Sequence, residues 1–252
     1  MRFHAGYAYQ EFKDKDCSPT PIILLHGAGS THLGFPASFR HLTGRHVIAP
    51  DLPSHGQSAR KELSSIEAYA QDICDLLLNL QIHRAVFVGY SMGAAIALQI
   101  LLNKPSLCAR CALLAYSPKS VSPDGILDND PGDLPQTDWS AQLSRYFYTS
   151  TPDQTEKDIN HALLQKIDKN TFFNDLELTC RYQPTFPVKK INIPLLYLYG
   201  DKDSFIDHSQ SELLVEHFKQ PDVAVIENAG HIFLWEYPCL ILDQLNNFLV
   251  GV

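Results

Sequence analysis

Short apolar runs alternate along the chain with longer stretches of helical periodicity. The runs are Ile22–Leu25, His46–Ala49, Ala85–Val88, Cys111–Ala115, Leu195–Tyr199 and Val223–Ile226. They are mostly apolar at successive positions, the pattern of parallel strands covered on both faces. Helices are predicted between them, near Ile66–Leu80, Met92–Asn103, Ser209–Phe218 and Tyr237–Leu249. In the first of these, Tyr69, Ile73, Leu76, Leu77 and Leu80 recur at helical spacing. This alternation predicts an α/β fold, a mostly parallel central sheet with helices on both faces. The residues through Phe12 are expected to add antiparallel edge strands.

The alternation stops between Ser117 and Asn192. Pro118, Pro123, Asp124, Gly125, Asp128, Asp130, Pro131, Gly132, Asp133 and Pro135 open that stretch, an acidic loop by composition. Helical patterns follow near Ser140–Tyr148, Thr155–Lys166 and Thr171–Arg181, and Pro184 and Pro187 lead back to the Leu195 run. We expect a core from residues 1–116 and 193–252, and a helical cap from 117–192. The insertion leaves the sheet at the strand ends where open α/β sheets bind ligands, so it would roof a site there.

Chemistry is concentrated at the ends of the apolar runs. Gly89-Tyr90-Ser91-Met92-Gly93 joins the Ala85–Val88 run to the helix that follows. A serine flanked by glycines on a strand-to-helix turn can form a nucleophile elbow, with its hydroxyl above a helix N-terminus. Serine alone is a poor nucleophile at neutral pH; it needs a base, and the base needs an orienting carboxylate. The chain offers both past later strands: Gly200-Asp201-Lys202-Asp203, with Asp207 close by, and Glu227-Asn228-Ala229-Gly230-His231. The oxyanion of acyl transfer also needs two backbone N–H donors, and Met92, just after the serine, is placed to be one.

Taken together, these motifs resemble the α/β-hydrolase superfamily, in its serine-nucleophile, esterase-like branch. The resemblance rests on His26-Gly27-Ala28-Gly29, Asp51-Leu52-Pro53-Ser54-His55-Gly56-Gln57-Ser58, the Ser91 elbow, Gly200-Asp201-Lys202-Asp203 and Gly230-His231, all in family order. It implies Ser91 as nucleophile, His231 as general base and acid, and Asp203 as the orienting carboxylate, with Asp201 and Asp207 as neighbours able to cap a turn or helix. It places the second oxyanion donor at Ala28, with Gly29 adjacent. His26, His55 and Ser58 are expected to brace the neighbouring loops. Ser54 departs from the pattern, standing where the family usually has glycine.

Composition narrows the reading. A net charge of −8 and a pI near 5.7 argue against a nucleic-acid partner. No apolar run is long enough for membrane insertion, and the N-terminal residues lack a signal-peptide pattern, so a cytoplasmic protein is expected. Cys17, Cys74, Cys108, Cys111, Cys180 and Cys239 are scattered, which suggests free thiols. No phosphate loop or metal-binding cluster is visible, and no metal or organic cofactor is expected.

The expected partner is a small-molecule acyl substrate. Trp139, Tyr146, Phe147, Tyr148, Phe172, Phe173, Tyr182 and Phe186 in the insertion favour a largely apolar one. The expected activity is a serine hydrolase of carboxylesterase type. Two alternatives share the same triad. One is a lyase like the menaquinone-pathway synthase, or a carbon–carbon bond hydrolase; the other is a hydrolase-fold receptor with slow turnover. The lyase commonly has an arginine where this chain has Ala95, and its anionic substrate would call for Arg145, Lys166, Lys169 or Arg181 to reach inward.

Overall fold

The computed structural model describes residues 1–119 and 168–252. Eight strands form one sheet: β1 (Arg2–His4), β2 (Tyr7–Lys13), β3 (Ile22–Leu25), β4 (His46–Pro50), β5 (Ala85–Tyr90), β6 (Cys108–Leu114), β7 (Leu195–Gly200) and β8 (Pro221–Ile226). Their spatial order is β1-β2-β4-β3-β5-β6-β7-β8. β1 and β2 pair antiparallel with each other, and β2 antiparallel with β4, while every later pairing is parallel. The parallel sheet and its antiparallel edge both follow the sequence reading.

Helices α1 (Ala37–Arg40), α2 (Ile66–Asn79), α3 (Met92–Asn103), α4 (Lys169–Arg181), α5 (His208–Glu216), α6 (Phe233–Glu236) and α7 (Pro238–Phe248) accompany the sheet. Two apolar clusters lie on its two sides. One joins Ile23, Leu25 and Phe87 to α2 and α3; the other joins Ile22, Leu24, Val86 and Val88 to Phe39, Phe233 and α7. Neighbouring strand residues thus divide between the clusters, as the two-sided apolar runs require.

Three differences from the sequence reading have local causes. The predicted Tyr237–Leu249 helix is α7, but a short helix the periodicity did not show, α6, precedes it, and the two are separated at Tyr237, which Pro238 steers out of helical geometry, to φ −130° and ψ 51°. β8 is not buried on both faces: among the described residues it is the sheet's edge, and Val223 and Val225 are exposed. β6 begins at Cys108, three residues before the predicted Cys111–Ala115 run, so Cys108 and Cys111 both lie buried within the strand. A hydrogen bond to Cys111 and burial together push the Cys108 thiol well above its usual pKa, so it is not a reactive thiolate. All six cysteines are free.

The predicted helices near Ser140–Tyr148 and Thr155–Lys166 lie outside the described residues, as do Trp139, Tyr146, Phe147 and Tyr148. The third predicted helix of that segment is α4. No described helix is long and apolar enough to cross a membrane.

Candidate active site

Ser91 sits between β5 and α3 with φ 56° and ψ −120°, a left-handed backbone that a non-glycine residue adopts only at a cost of about 1–3 kcal/mol. The flanking glycines explain how the turn closes. A Cβ on Gly89 would stand 2.2 Å from the Gly93 carbonyl oxygen, and one on Gly93 would stand 2.0 Å from the Leu25 oxygen. The turn is anchored by Ser91 N–H donating to the Leu114 oxygen at 2.8 Å.

The expected base and acid follow the last two strands. The loop after β8 carries His231, and the loop after β7 carries Asp203; both side chains are buried. His231 Nδ1–H donates to Asp203 Oδ2 at 2.8 Å. In the neutral ring that leaves Nε2 as the acceptor for the Ser91 hydroxyl, at 3.0 Å. Asp203 Oδ1 is held by the Phe205 N–H at 2.9 Å, and the Phe205 ring lies against the imidazole with centroids 4.5 Å apart.

The two loops lock together at Gly200, where an added Cβ would meet the Ala229 oxygen at 2.1 Å. Lys202 N–H donates to that same oxygen at 3.1 Å. The neighbouring aspartates have other work. Asp201 accepts from the Ala229 N–H, and Asp207 caps α5 through the Ser209 and Gln210 N–H groups. Of the three, Asp203 is the one whose carboxylate bonds His231.

Met92 opens α3, so its N–H has no acceptor one turn back in that helix. The loop after β3 crosses directly over the elbow: a Cβ on Gly27 would lie 3.2 Å from Ser91 Cβ. Gly29 directs its N–H to Asp175 Oδ2 at 2.8 Å. That removes it as the adjacent alternative for the oxyanion and favours Ala28.

The bracing histidines behave differently from one another. His26 Nδ1–H donates to the Gly27 oxygen and its Nε2 accepts the Leu52 N–H at 3.0 Å, the neutral form. Complete burial, with His55 adding to it, lowers its pKa to about 3. Ser58 bridges the Asp51 oxygen and the Ala8 N–H. Ser54 tolerates φ 66° where the family has glycine, its hydroxyl tied to both the N–H and the carbonyl of Lys61.

The motif reading missed Asp175, on α4. It is fully buried and bonds Gly29, His55 and Tyr69. The motifs held no sign of it, because its partners are brought to it only by the fold.

A family model described as "Alpha/beta hydrolase family" matches residues 22–244. The chain belongs to the alpha/beta hydrolase family. Among its relatives in that family, sn-1-specific diacylglycerol lipase ABHD11 of Mus musculus is 26% identical, over 94% of this chain and 83% of the relative. The Danio rerio protein of the same name is 32% identical, over 96% of this chain and 81% of its own. The solved structure of a lipase-esterase related protein from Clostridium acetobutylicum superposes with a TM-score of 0.83 at 20% identity, over 97% of this chain and all of that one, a likeness of fold. This alpha/beta hydrolase thus has lipase and esterase relatives. Among its described residues, no group of three or more His, Cys, Asp or Glu is placed to hold a metal ion.

Proposed function

We propose that this alpha/beta hydrolase is a serine esterase, cleaving carboxylic esters of small, largely apolar substrates through an acyl-enzyme on Ser91. The observation that carries this is the continuous Ser91–His231–Asp203 hydrogen-bond chain, at 3.0 and 2.8 Å, ending on the strained elbow. His231 Nε2 takes the serine proton as Oγ attacks the ester carbonyl. The Met92 and Ala28 N–H groups hold the oxyanion, a contribution worth about 10²–10³ in rate per donor. His231 then returns the proton to the leaving alcohol, and water attacks the acyl-enzyme by the same route. Asp203 holds the ring in the required tautomer and faces the imidazolium charge as it forms. Names of relatives such as diacylglycerol lipase favour an ester of a hydrophobic acyl chain.

The lyase reading finds less support. Arg181 is largely exposed and pairs with Glu177, and Ala95 is buried within α3. Lys169 is buried at the start of α4, while Arg145 and Lys166 lie outside the described residues.

A fluorophosphonate probe is expected to label the native protein and to fail on Ser91→Ala. A series of p-nitrophenyl acyl esters is expected to be turned over, with the activity abolished in His231→Ala. Labelling that survives Ser91→Ala would refute the serine mechanism. Tight binding of an acyl ligand with no turnover at any chain length would favour the receptor.

A further inference from the structure

We propose that Asp175, with His55, is a positioning pair that holds the oxyanion loop in its working geometry. The pair would thereby make catalysis depend on the docking of α4 against the core. This rests on the serine-esterase reading and adds to it a residue from the inserted segment.

Asp175 and Gly29 are 146 residues apart in sequence. Gly29 has φ 62°, a conformation suited to glycine, and its N–H is drawn into the protein by Asp175 Oδ2 at 2.8 Å. The same oxygen faces His55 Nε2 at 2.7 Å, and Oδ1 accepts the Tyr69 hydroxyl at 3.2 Å. His55 Nδ1 in turn lies 2.8 Å from the Pro53 oxygen. Both ring nitrogens of His55 therefore face acceptors, and both carry hydrogen: the ring is an imidazolium. The pair is a buried salt bridge, the two side chains 1% and 0% exposed.

One carboxylate thus ties together three core segments: the loop after β3, the loop after β4 and helix α2. Ala28 and Gly29 are consecutive, so the pull on the Gly29 peptide fixes the orientation of the peptide before it. Freed of that bond, the loop gains other arrangements, and a displacement of about 1 Å in an oxyanion donor costs on the order of 10²-fold in rate. Asp175 touches no reacting atom in this scheme; it acts through the backbone of residues 28 and 29.

Other titratable groups surround the pair. The His26 ring lies 5.1 Å from that of His55 between centroids, and Tyr69 lies 6.4 Å away. Asp51, after β4, adds a favourable field at His55, and Asp168, at the start of α4, interacts with it as well. His32 faces Asp51 at 2.7 Å.

Two measurements test the pair. The first, hydrogen exchange of single amides by NMR on the wild-type chain, needs no turnover: Gly29 should be protected and should exchange together with the amides of α4. A Gly29 amide exchanging at the rate of an open loop would overturn the proposal. The second compares p-nitrophenyl ester kinetics of wild type, Asp175→Ala and Asp175→Asn, with melting followed on each. Asp175→Ala should lower kcat about 10- to 100-fold with KM within about threefold, the signature of a lost transition-state contact. Asp175→Asn, whose amide oxygen still accepts the Gly29 N–H, should regain most of it. A folded Asp175→Ala protein with wild-type kcat, or a loss confined to KM, would also overturn the proposal. Fluorophosphonate labelling of the wild type reports separately on the esterase reading. If Ser91 does not react, that reading falls, and the amide exchange still decides whether the latch exists.

Discussion

Gly93→Ala joins the packing of the elbow to its chemistry in one substitution. The added methyl group would stand 2.0 Å from the Leu25 oxygen, 2.5 Å from the Leu25 carbonyl carbon and 2.6 Å from the His26 oxygen. All three atoms are backbone, at the end of β3, so no side chain can rotate away. Ordinary contact begins at 3.4 Å, so α3 and the end of β3 must separate by about 1.4 Å at that point. Overpacking of this kind costs roughly 1–3 kcal/mol, and here the strain falls on β3, which lies between β4 and β5. The separation also moves Ser91 and Met92, at the start of α3, away from Ala28, in the loop that follows β3. We therefore expect urea unfolding to show a loss of about 1–3 kcal/mol. In the same protein at a temperature where it is fully folded, kcat for ester hydrolysis should fall about 10²-fold. A folded Gly93→Ala protein with stability within about 0.5 kcal/mol and kcat within about threefold of wild type would refute the reasoning. It would mean that the helix and strand separate without disturbing the oxyanion site.

Asp203→Asn should leave the fold intact and lower kcat by about 10⁴-fold, because the amide favours the wrong imidazole tautomer; steady-state ester kinetics check it. The His55–Asp175 pair should make stability pH-dependent. Burial pulls the His55 pKa down, but the hydrogen bond and charge of Asp175 outweigh it and hold it above 6.5. Because the folded value is the higher one, the pair's stabilisation is fully present below pH 6.5 and is lost as pH rises through the folded pKa. Urea titrations across that range should show the gap between wild type and His55→Gln narrowing with pH; a constant gap would contradict an imidazolium. Arg45 donates to the Leu249 and Val252 oxygens at 2.9 and 2.7 Å, so Arg45→Ala should cost about 1–2 kcal/mol in chemical denaturation with kcat unchanged.

The sheet was legible because most of its parallel strands are apolar at successive positions, the pattern that two-sided burial calls for. Ser91 and His231 were legible for a related reason: each follows a strand that the pattern had already placed, while the choice of Asp203 over Asp201 and Asp207 came from the family resemblance. β8 misled because Val223 and Val225 look like core residues, and an edge strand keeps its β-branched side chains whether or not something covers them. The last helix was legible to within a residue at each end, with Pro238 at its first position, while the four-residue α6 before it is too short to leave a periodic signal. Asp175 had no such handle. It stands in mid-helix between Asn174 and Leu176, and its meaning depends on a backbone N–H, a ring and a hydroxyl supplied by three other elements. Ser54 shows a similar limit: a departure from a glycine pattern reads as a defect until its two bonds to Lys61 are seen.

The tight approach of Gly200 to Ala229 divides the proposed catalytic trio into parts of unequal reach. Asp203 and His231 belong to one piece, the rim built from β7, β8 and their interlocked loops, and their 2.8 Å bond is local to it. Ser91 belongs to another piece, the middle of the sheet. The sheet joins the two through the β6–β7 pairing, and above it they meet at the 3.0 Å Ser91–His231 bond and at the Tyr90 hydroxyl donating to the His231 carbonyl. The two distances therefore report different things. One bond spans two neighbouring loops and the other reaches from β5 to the loop after β8, so the serine-to-histidine distance depends on the packing of four strands where the histidine-to-aspartate distance depends on two.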